Sequence, residues 1–244
     1  MSKQKGITFN CFSPPVMMAT ILIEASLAVY TIWRYKMTEI TKVIVLLLLA
    51  LATFQLAEYN VCTGEASALQ WSRLGFVAIT TLPPLGLHLM HLLANKPNRK
   101  FVLAGYTSMI AFSAFFLASQ SAFTGHQCTG NYVIFQFSSQ VTGAYGLYYY
   151  GWLLAGIGLG IHWANQLREK GKSSLKRLES VRALVVGYFV FLVPTAVANT
   201  VRPETRRGIP SIMCGFAIIL ALILALYIMP RVVELRSTNK EAKA

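Results

Sequence analysis

Seven stretches of this chain are each about twenty residues long, strongly apolar and almost free of charge. They cover approximately residues 15–34, 41–62, 71–94, 101–119, 143–166, 181–201 and 210–230. In helical form ~20 apolar residues cross the ~30 Å of a bilayer's hydrocarbon. Hydrocarbon offers the backbone no hydrogen-bond partner, so each stretch must satisfy its own N–H and C=O groups as an α-helix. The stretches are too long and too continuous for barrel strands. The expectation is an all-α integral membrane protein, a single seven-helix bundle over residues 1–244. A charged fraction of 13% agrees, because soluble domains carry roughly twice that. The first stretch is expected to stay in the membrane: Glu24 interrupts it, and no small-residue cleavage site precedes Arg34.

The formal net charge of +13 invites a nucleic-acid reading. Its distribution argues otherwise. Alternating the seven stretches across a bilayer puts 16 of the 22 Lys and Arg on one side, leaving Lys3, Lys5, Arg73, Arg202, Arg206 and Arg207 on the other. The positive-inside rule then places the N-terminus outside and the C-terminus in the cytoplasm. The segment 167–182, LREKGKSSLKRLESVR, is the most charged and is read as a surface for anionic lipid headgroups. No basic-aromatic motif accompanies the charge, so no nucleic-acid partner is expected.

Under this topology Cys11, Cys62, Cys128 and Cys214 all fall on the outer side, where disulfides persist. Cys62–Cys128 is the favoured bridge, since both belong to outer connections; Cys11 and Cys214 form a candidate second pair, with Cys214 also readable as a small core residue. The longest connection, about 120–142, has no charged residue. Its Gly130-Asn131 turn signal and the alternation in YVIFQF predict a short hairpin across the bundle mouth. The tyrosines of GLYYYGW (146–152) read as an interfacial aromatic belt.

All nine acidic residues are Glu, and Glu24 and Glu58 lie within the apolar stretches. Such residues face a bundle interior and mark function. Gln55, Glu58 and Cys62 share one helical face. Thr80, Thr81, Asn199 and Thr200 fall at a similar depth, so Gln55, Glu58, Thr81 and Asn199 are candidate lining residues of an outward-facing polar pocket. The structural alternative for Glu58 is an interfacial ion pair with Arg73 or Arg202. Counted from its own helix end, Glu24 lies near mid-membrane and deeper than Glu58, which assigns the two separate roles. Glu24 is a candidate proton- or ligand-binding group, or a packing hydrogen bonder. His88, His91 and His162 fall at the opposite ends of their helices, where a three-nitrogen metal site or a haem between helices is geometrically conceivable. Interaction with terminal carbonyls is the commoner role of such histidines, and no metal or other cofactor is favoured. Pro83, Pro84 and Pro194 are expected to kink their helices. Pro230 reads as a helix stop. Gly156 and Gly160 have the small-xxx-small spacing of close helix packing or a homo-oligomer contact.

The run LAEYNVCTGEASALQWSRLGFVAITTLPPLGLHLMHLL (56–93) resembles the seven-helix sensory region that precedes many bacterial histidine kinases. The features that carry it are Glu58 at the end of helix 2, a short loop, Trp71 with Arg73 opening helix 3, and Pro83 or Pro84 inside it. The resemblance covers about forty residues and implies a sensor in a bacterial inner membrane. The chain departs from the pattern in that no kinase follows helix 7, so output requires a separate cytoplasmic signalling partner. Other seven-helix families fit less well. Helix 7 has no lysine for a retinal Schiff base, and E/DRY-like and NPxxY-like motifs are absent. The chain has no Asp for a ceramidase-like metal centre and no G-x-S-x-G. The leading expectation is a non-enzymatic, sensor-like protein binding an unidentified small molecule. The rivals are a small-solute or proton-coupled transporter using Glu24, and a metal- or haem-dependent membrane enzyme using the three histidines.

Overall fold

A computed structural model of the chain describes residues 14–64, 67–119, 122–128, 133–136, 139–169, 171–201 and 209–241. The helices are α1 (Pro14–Arg34), α2 (Glu39–Thr63), α3 (Ala68–Ala94), α4 (Arg99–Ala118), α5 (Ser139–Glu169), α6 (Leu175–Val201) and α7 (Ile209–Leu222). A π-helical segment, Ile223–Ile228, continues α7 directly into α8 (Met229–Glu241). Two short strands, β1 (Gly125–Cys128) and β2 (Val133–Gln136), pair between α4 and α5. The protein is therefore all-α in its main architecture. Among the described residues six helices are long and apolar enough to cross a membrane: five from α1, α2, α3, α4 and α6, and Phe216–Leu235 from the α7–α8 run. The exception is α5. It is long enough at 31 residues, but six glycines and four tyrosines dilute its apolar content.

Local chemistry sets the helix ends. Thr38 accepts a hydrogen bond from the Thr41 N–H at 3.3 Å and opens α2. Asn98 does the same for Phe101 at 3.2 Å and opens α4. Asn95 closes α3 in the left-handed conformation (φ 53°), and the Lys96 N–H returns to the His91 carbonyl at 3.0 Å. Asparagine is among the few residues that enter this region at low cost. Pro230 does not stop the last helix. The wider π turn ahead of it, with Met229 N–H bonded to the Leu224 carbonyl, accommodates a residue that lacks a donor, and the helix runs on to Glu241.

The centre of the bundle is α3, which packs on α2, α4, α5 and α6. Its approach to α2 depends on Gly75, where a Cβ would stand 2.9 Å from the Ala57 methyl. On α5 a Cβ at Gly160 would stand 2.6 Å from side-chain atoms of Met90 and Val185, so this glycine is used against α3 and α6 within the chain. By contrast α1 and α4 present Leu22, Val29 and Trp33, and Leu103, Ile110 and Leu117, to the surroundings. Such apolar outer surfaces suit lipid, whose tails solvate leucine as well as a protein core does.

Helix α3 carries Pro83 and Pro84 inside it. Proline at position 84 leaves the carbonyl four residues earlier, that of Thr80, without its helical donor. The Tyr148 hydroxyl supplies the missing bond from α5 at 2.6 Å. The Thr80 hydroxyl bonds back to the Phe76 carbonyl and lies 3.1 Å from the Tyr145 hydroxyl. Both tyrosines are buried. They satisfy the broken part of α3, a role the belt reading of 146–152 did not include for Tyr148.

Candidate functional site

At the hairpin end of the bundle, buried aromatic rings gather. Phe76 sits 5.0 Å from Phe135, 5.2 Å from Phe116, 5.3 Å from Phe123 and 5.7 Å from Tyr145, ring centre to ring centre. Phe135 comes from β2, whose alternate residues Val133 and Phe135 are buried while Gln136 is exposed. The hairpin is thus a plug: the period-2 pattern of YVIFQF turns one face of the strand into the bundle. The register pairs Cys128 with Val133 and Gly125 with Gln136. The turn itself, at 129–132, lies outside the described residues. A disulfide joins Cys128 of β1 to Cys62 at the end of α2, with Cα atoms 5.8 Å apart, as expected from their shared position in outer connections. Cys11 and the side chain of Cys214 lie outside the described residues.

One turn before Cys62, α2 carries Glu58, and another turn earlier Gln55; both are 0% exposed. Facing them, α1 buries one stripe of side chains: Met17, Thr20, Glu24, Ala28 and Thr31. Spacings of three and four residues put all five on one helical face. Thr20 and Thr31 satisfy their hydroxyls on the Val16 and Leu27 carbonyls at 2.6 and 2.7 Å. Glu24 has no such outlet: it is 0% exposed, and neither carboxyl oxygen has a hydrogen-bond partner among the described residues. The amide nitrogen and oxygen of Gln55 are in the same state. Glu24 and Glu58 lie close enough to interact electrostatically. The separate depths assigned to them from sequence assume level helix ends. The two carboxyls nonetheless lie within electrostatic reach of each other.

Thr81 is half-buried and satisfied by the Ala78 carbonyl at 2.7 Å. Thr200 is exposed and bonds back to Ala196 at 2.8 Å. The side chain of Asn199, and Arg202, lie outside the described residues. Arg73 donates from Nη2 to the Ser119 carbonyl at 3.1 Å, tying the start of α3 to the end of α4. A cavity of about 30 Å³ lies deeper in the bundle, between Leu51, Pro83, Leu153, Tyr188 and Leu220. Its lining is mostly apolar, so it offers a water few of the two to four polar partners it needs.

The histidines do not converge. Nδ1 of His88 lies 2.9 Å from the Tyr106 hydroxyl on α4. His91 is buried edge-on against Trp163 at 4.9 Å, with Nδ1 donating to the Leu87 carbonyl at 2.9 Å. His162 is exposed and lies 3.0 Å from Gln166 on its own helix. Among the described residues no three His, Cys, Asp or Glu side chains come together as a metal-binding group.

At the opposite, Lys/Arg-rich end, α8 is fastened to the start of α6 by Arg231 to Glu179 and Lys176 to Glu234, each at 2.9 Å. The Arg231 guanidinium also lies 3.3 Å over the Tyr227 ring. Residues that sequence reasoning missed are Tyr145, Tyr148 and Tyr188. The last reaches α3 only because residue 86 is glycine, where a Cβ would collide with its hydroxyl. Their signal was a polar-tipped aromatic facing a helix broken by proline or thinned by glycine. Comparison of the chain with family models, with curated proteins and with solved structures yields no match in any of the three.

Proposed function

We infer that the chain is a sensor-like, ligand-binding membrane protein of seven spans, its N-terminus outside and its C-terminus cytoplasmic, in a bacterial cell membrane. One observation carries the reading: Glu24, Gln55 and Glu58 are fully enclosed between apolar helices, and Glu24 and Gln55 lack partners among the described residues. Groups this costly in a membrane bundle mark functional sites. In this reading α5 is the seventh span, its tyrosines turned inward. The disulfide favours the hairpin end as the outer one, and the Lys/Arg bias favours the other as cytoplasmic. The hairpin is the lid, and a ligand reaches the polar group when Val133 and Phe135 withdraw from the aromatic cluster. The response passes along proline-bearing α3 and α6 to the basic segment 167–182, which contacts anionic lipids and a soluble signalling partner.

The test is a thermal-shift screen of the purified protein against metabolites and lipids, run on wild type and Glu58→Gln. A ligand of the native state raises Tm with concentration, and the expected hit stabilises wild type but not the variant. If every hit shifts both proteins equally, the site is elsewhere. A transporter using Glu24 is the second reading, favoured by the same unpartnered carboxyl. Glu24→Gln then abolishes uptake into proteoliposomes while ligand binding persists.

A further inference from the structure

Helices α4 and α5 both pack on α3 but hardly on each other. Between them, toward the hairpin end, runs an open groove of about 330 Å³, lined by Ala111, Phe112 and Phe115 of α4 and by Val141 and Ala144 of α5. Ala111, Phe115 and Ala144 are exposed. Ala111 lies seven residues before the end of α4, about 10 Å inside by helical rise, so the groove opens on the flank of the bundle, toward hydrocarbon. Its floor is firm. Phe112 lies 4.7 Å from Tyr148 and 5.6 Å from Tyr145, ring centre to ring centre, and Tyr148 is bonded to the Thr80 carbonyl. At the deep end the Trp152 indole N–H donates to the Ser108 hydroxyl at 2.9 Å and closes α5 onto α4.

At the other end stands Arg73. It donates to the Ser119 carbonyl, and Ser119, whose own N–H is bonded to the Phe115 carbonyl at 2.9 Å, is one turn beyond the groove-lining Phe115. Arg73 is the sole Lys or Arg of the hairpin end among the described residues. Its Nε is buried and has no hydrogen-bond partner among them, and a buried donor left unmade is costly. Lipid tails enter an apolar groove with little net gain, because hydrocarbon solvates apolar side chains equally well outside it. A preference for one molecule must therefore come from the charged end and from the size of the groove.

We propose that the α4–α5 groove binds one free fatty acid drawn from the bilayer, its chain along Phe112, Phe115 and Val141 and its carboxylate on Arg73. A methylene needs roughly the 30 Å³ that a liquid water takes, so the groove holds about eleven of them, one chain and not the two of a phospholipid. A carboxylate accepts guanidinium donors two at a time, and its small size suits a half-buried arginine better than a bulky headgroup does. The site is separate from Glu24, Gln55 and Glu58 and goes beyond the reading above. A bound chain rests on Phe112, and through it on the tyrosines that complete α3.

The experiment uses the full chain in phosphatidylcholine nanodiscs at a pH that ionises the fatty-acid carboxyl. Tritiated palmitate and tritiated hexadecanol are the probes, with empty nanodiscs as background. Palmitate is expected to bind saturably, one molecule per chain. Hexadecanol has the same chain and no charge, and is expected to bind roughly tenfold more weakly, the scale of one charge-assisted hydrogen bond. Ala144→Trp, which fills the groove from an exposed position, is expected to abolish palmitate binding, and Arg73→Gln to bring it down to the hexadecanol level. Because Arg73 also ties α3 to α4, the wild type decides by itself: equal affinity for the two probes, or no binding above empty nanodiscs, overturns the proposal. Saturable binding that survives Ala144→Trp puts the site elsewhere and overturns it too. Displacement of palmitate by phosphatidylglycerol, mole for mole, assigns the groove to phospholipid and removes the fatty acid. If Glu58→Gln rather than Ala144→Trp abolishes palmitate binding, the groove falls and the ligand-binding reading stands.

Discussion

The two ends of this bundle treat polar side chains in opposite ways. At the Lys/Arg-rich end, Arg231 meets Glu179 and Lys176 meets Glu234, each pair at 2.9 Å and each partly exposed. At the hairpin end Glu24 and Gln55 are sealed from solvent without partners among the described residues, under a plug of aromatic rings and a disulfide. Paired, solvated charges fasten two helices at little cost. Sealed, unmatched polar groups lower stability and persist for another reason. The difference separates an end whose polar groups hold helices together from an end whose polar groups are buried, the end to which the proposed function assigns binding.

The largest effect expected from this contrast is at Phe76, the ring on which the aromatic cluster converges. Phe76→Ala removes contacts to at least four rings. In soluble cores such a truncation costs ~3–5 kcal/mol. In lipid the transfer share shrinks and packing dominates, so the expected loss is about 3 kcal/mol, read as a fall in unfolding free energy in detergent. A loss confined to the hairpin, with the helices unaffected, would show that the plug is a separable layer.

Next comes the disulfide. It closes a loop with a sequence separation of 66, and cross-links of that kind contribute about 2–4 kcal/mol. Cys62→Ser together with Cys128→Ser is expected to lower Tm and to speed protease cleavage within 122–138, while the Arg231–Glu179 end keeps its hydrogen-exchange protection. Equal loss of protection at both ends would erase the distinction between them.

What could be read from the sequence, and what could not, follows the same division. Helices α1–α4, α6 and the last helix were legible because the bilayer demands long apolar runs, and the hairpin because YVIFQF alternates. Cys62 and Cys128 could be paired because both lie in connections at one end. Pro230 misled, since a π turn absorbs what an α-helix cannot. The role of Tyr148 was not legible because a single chain does not reveal that the carbonyl of Thr80, orphaned by Pro84, lies opposite. Nor does depth counted along one helix reveal which side chains of a neighbouring helix come within reach, as Glu58 does of Glu24. Local periodicity records which face is apolar. It carries no information on how far two helices slide past each other.

Gln55→Leu tests whether the buried group exists for binding. Replacing an unsatisfied buried amide by an apolar side chain of similar size removes a desolvation penalty and is expected to raise stability by about 1 kcal/mol or more in the absence of ligand. The same variant is expected to lose the ligand-dependent rise in Tm. Stabilisation with loss of response is the signature of a site that trades stability for function. A fall in stability would mean that Gln55 is engaged in the folded protein, and the hairpin end would then resemble the basic end.

The smallest effect belongs to Arg231. Its Nε–Glu179 contact is partly exposed, and its guanidinium lies over the Tyr227 ring while Nη1 donates to the Tyr227 carbonyl at 3.1 Å. Exposed pairs contribute roughly 0.2–1 kcal/mol and cation–π contacts about 0.5–1 kcal/mol. Arg231→Ala is therefore expected to cost about 1 kcal/mol, the ion-pair part of which fades as salt is raised. The informative reading is taken far from the mutation. If the two ends are independent, ligand affinity at Glu24, Gln55 and Glu58 is unchanged in Arg231→Ala. If affinity shifts, the α6–α8 fastening and the buried polar group are linked through the helices between them. By reciprocity the ligand must then alter how tightly α8 is held, which is how a site near the hairpin would report to the basic face.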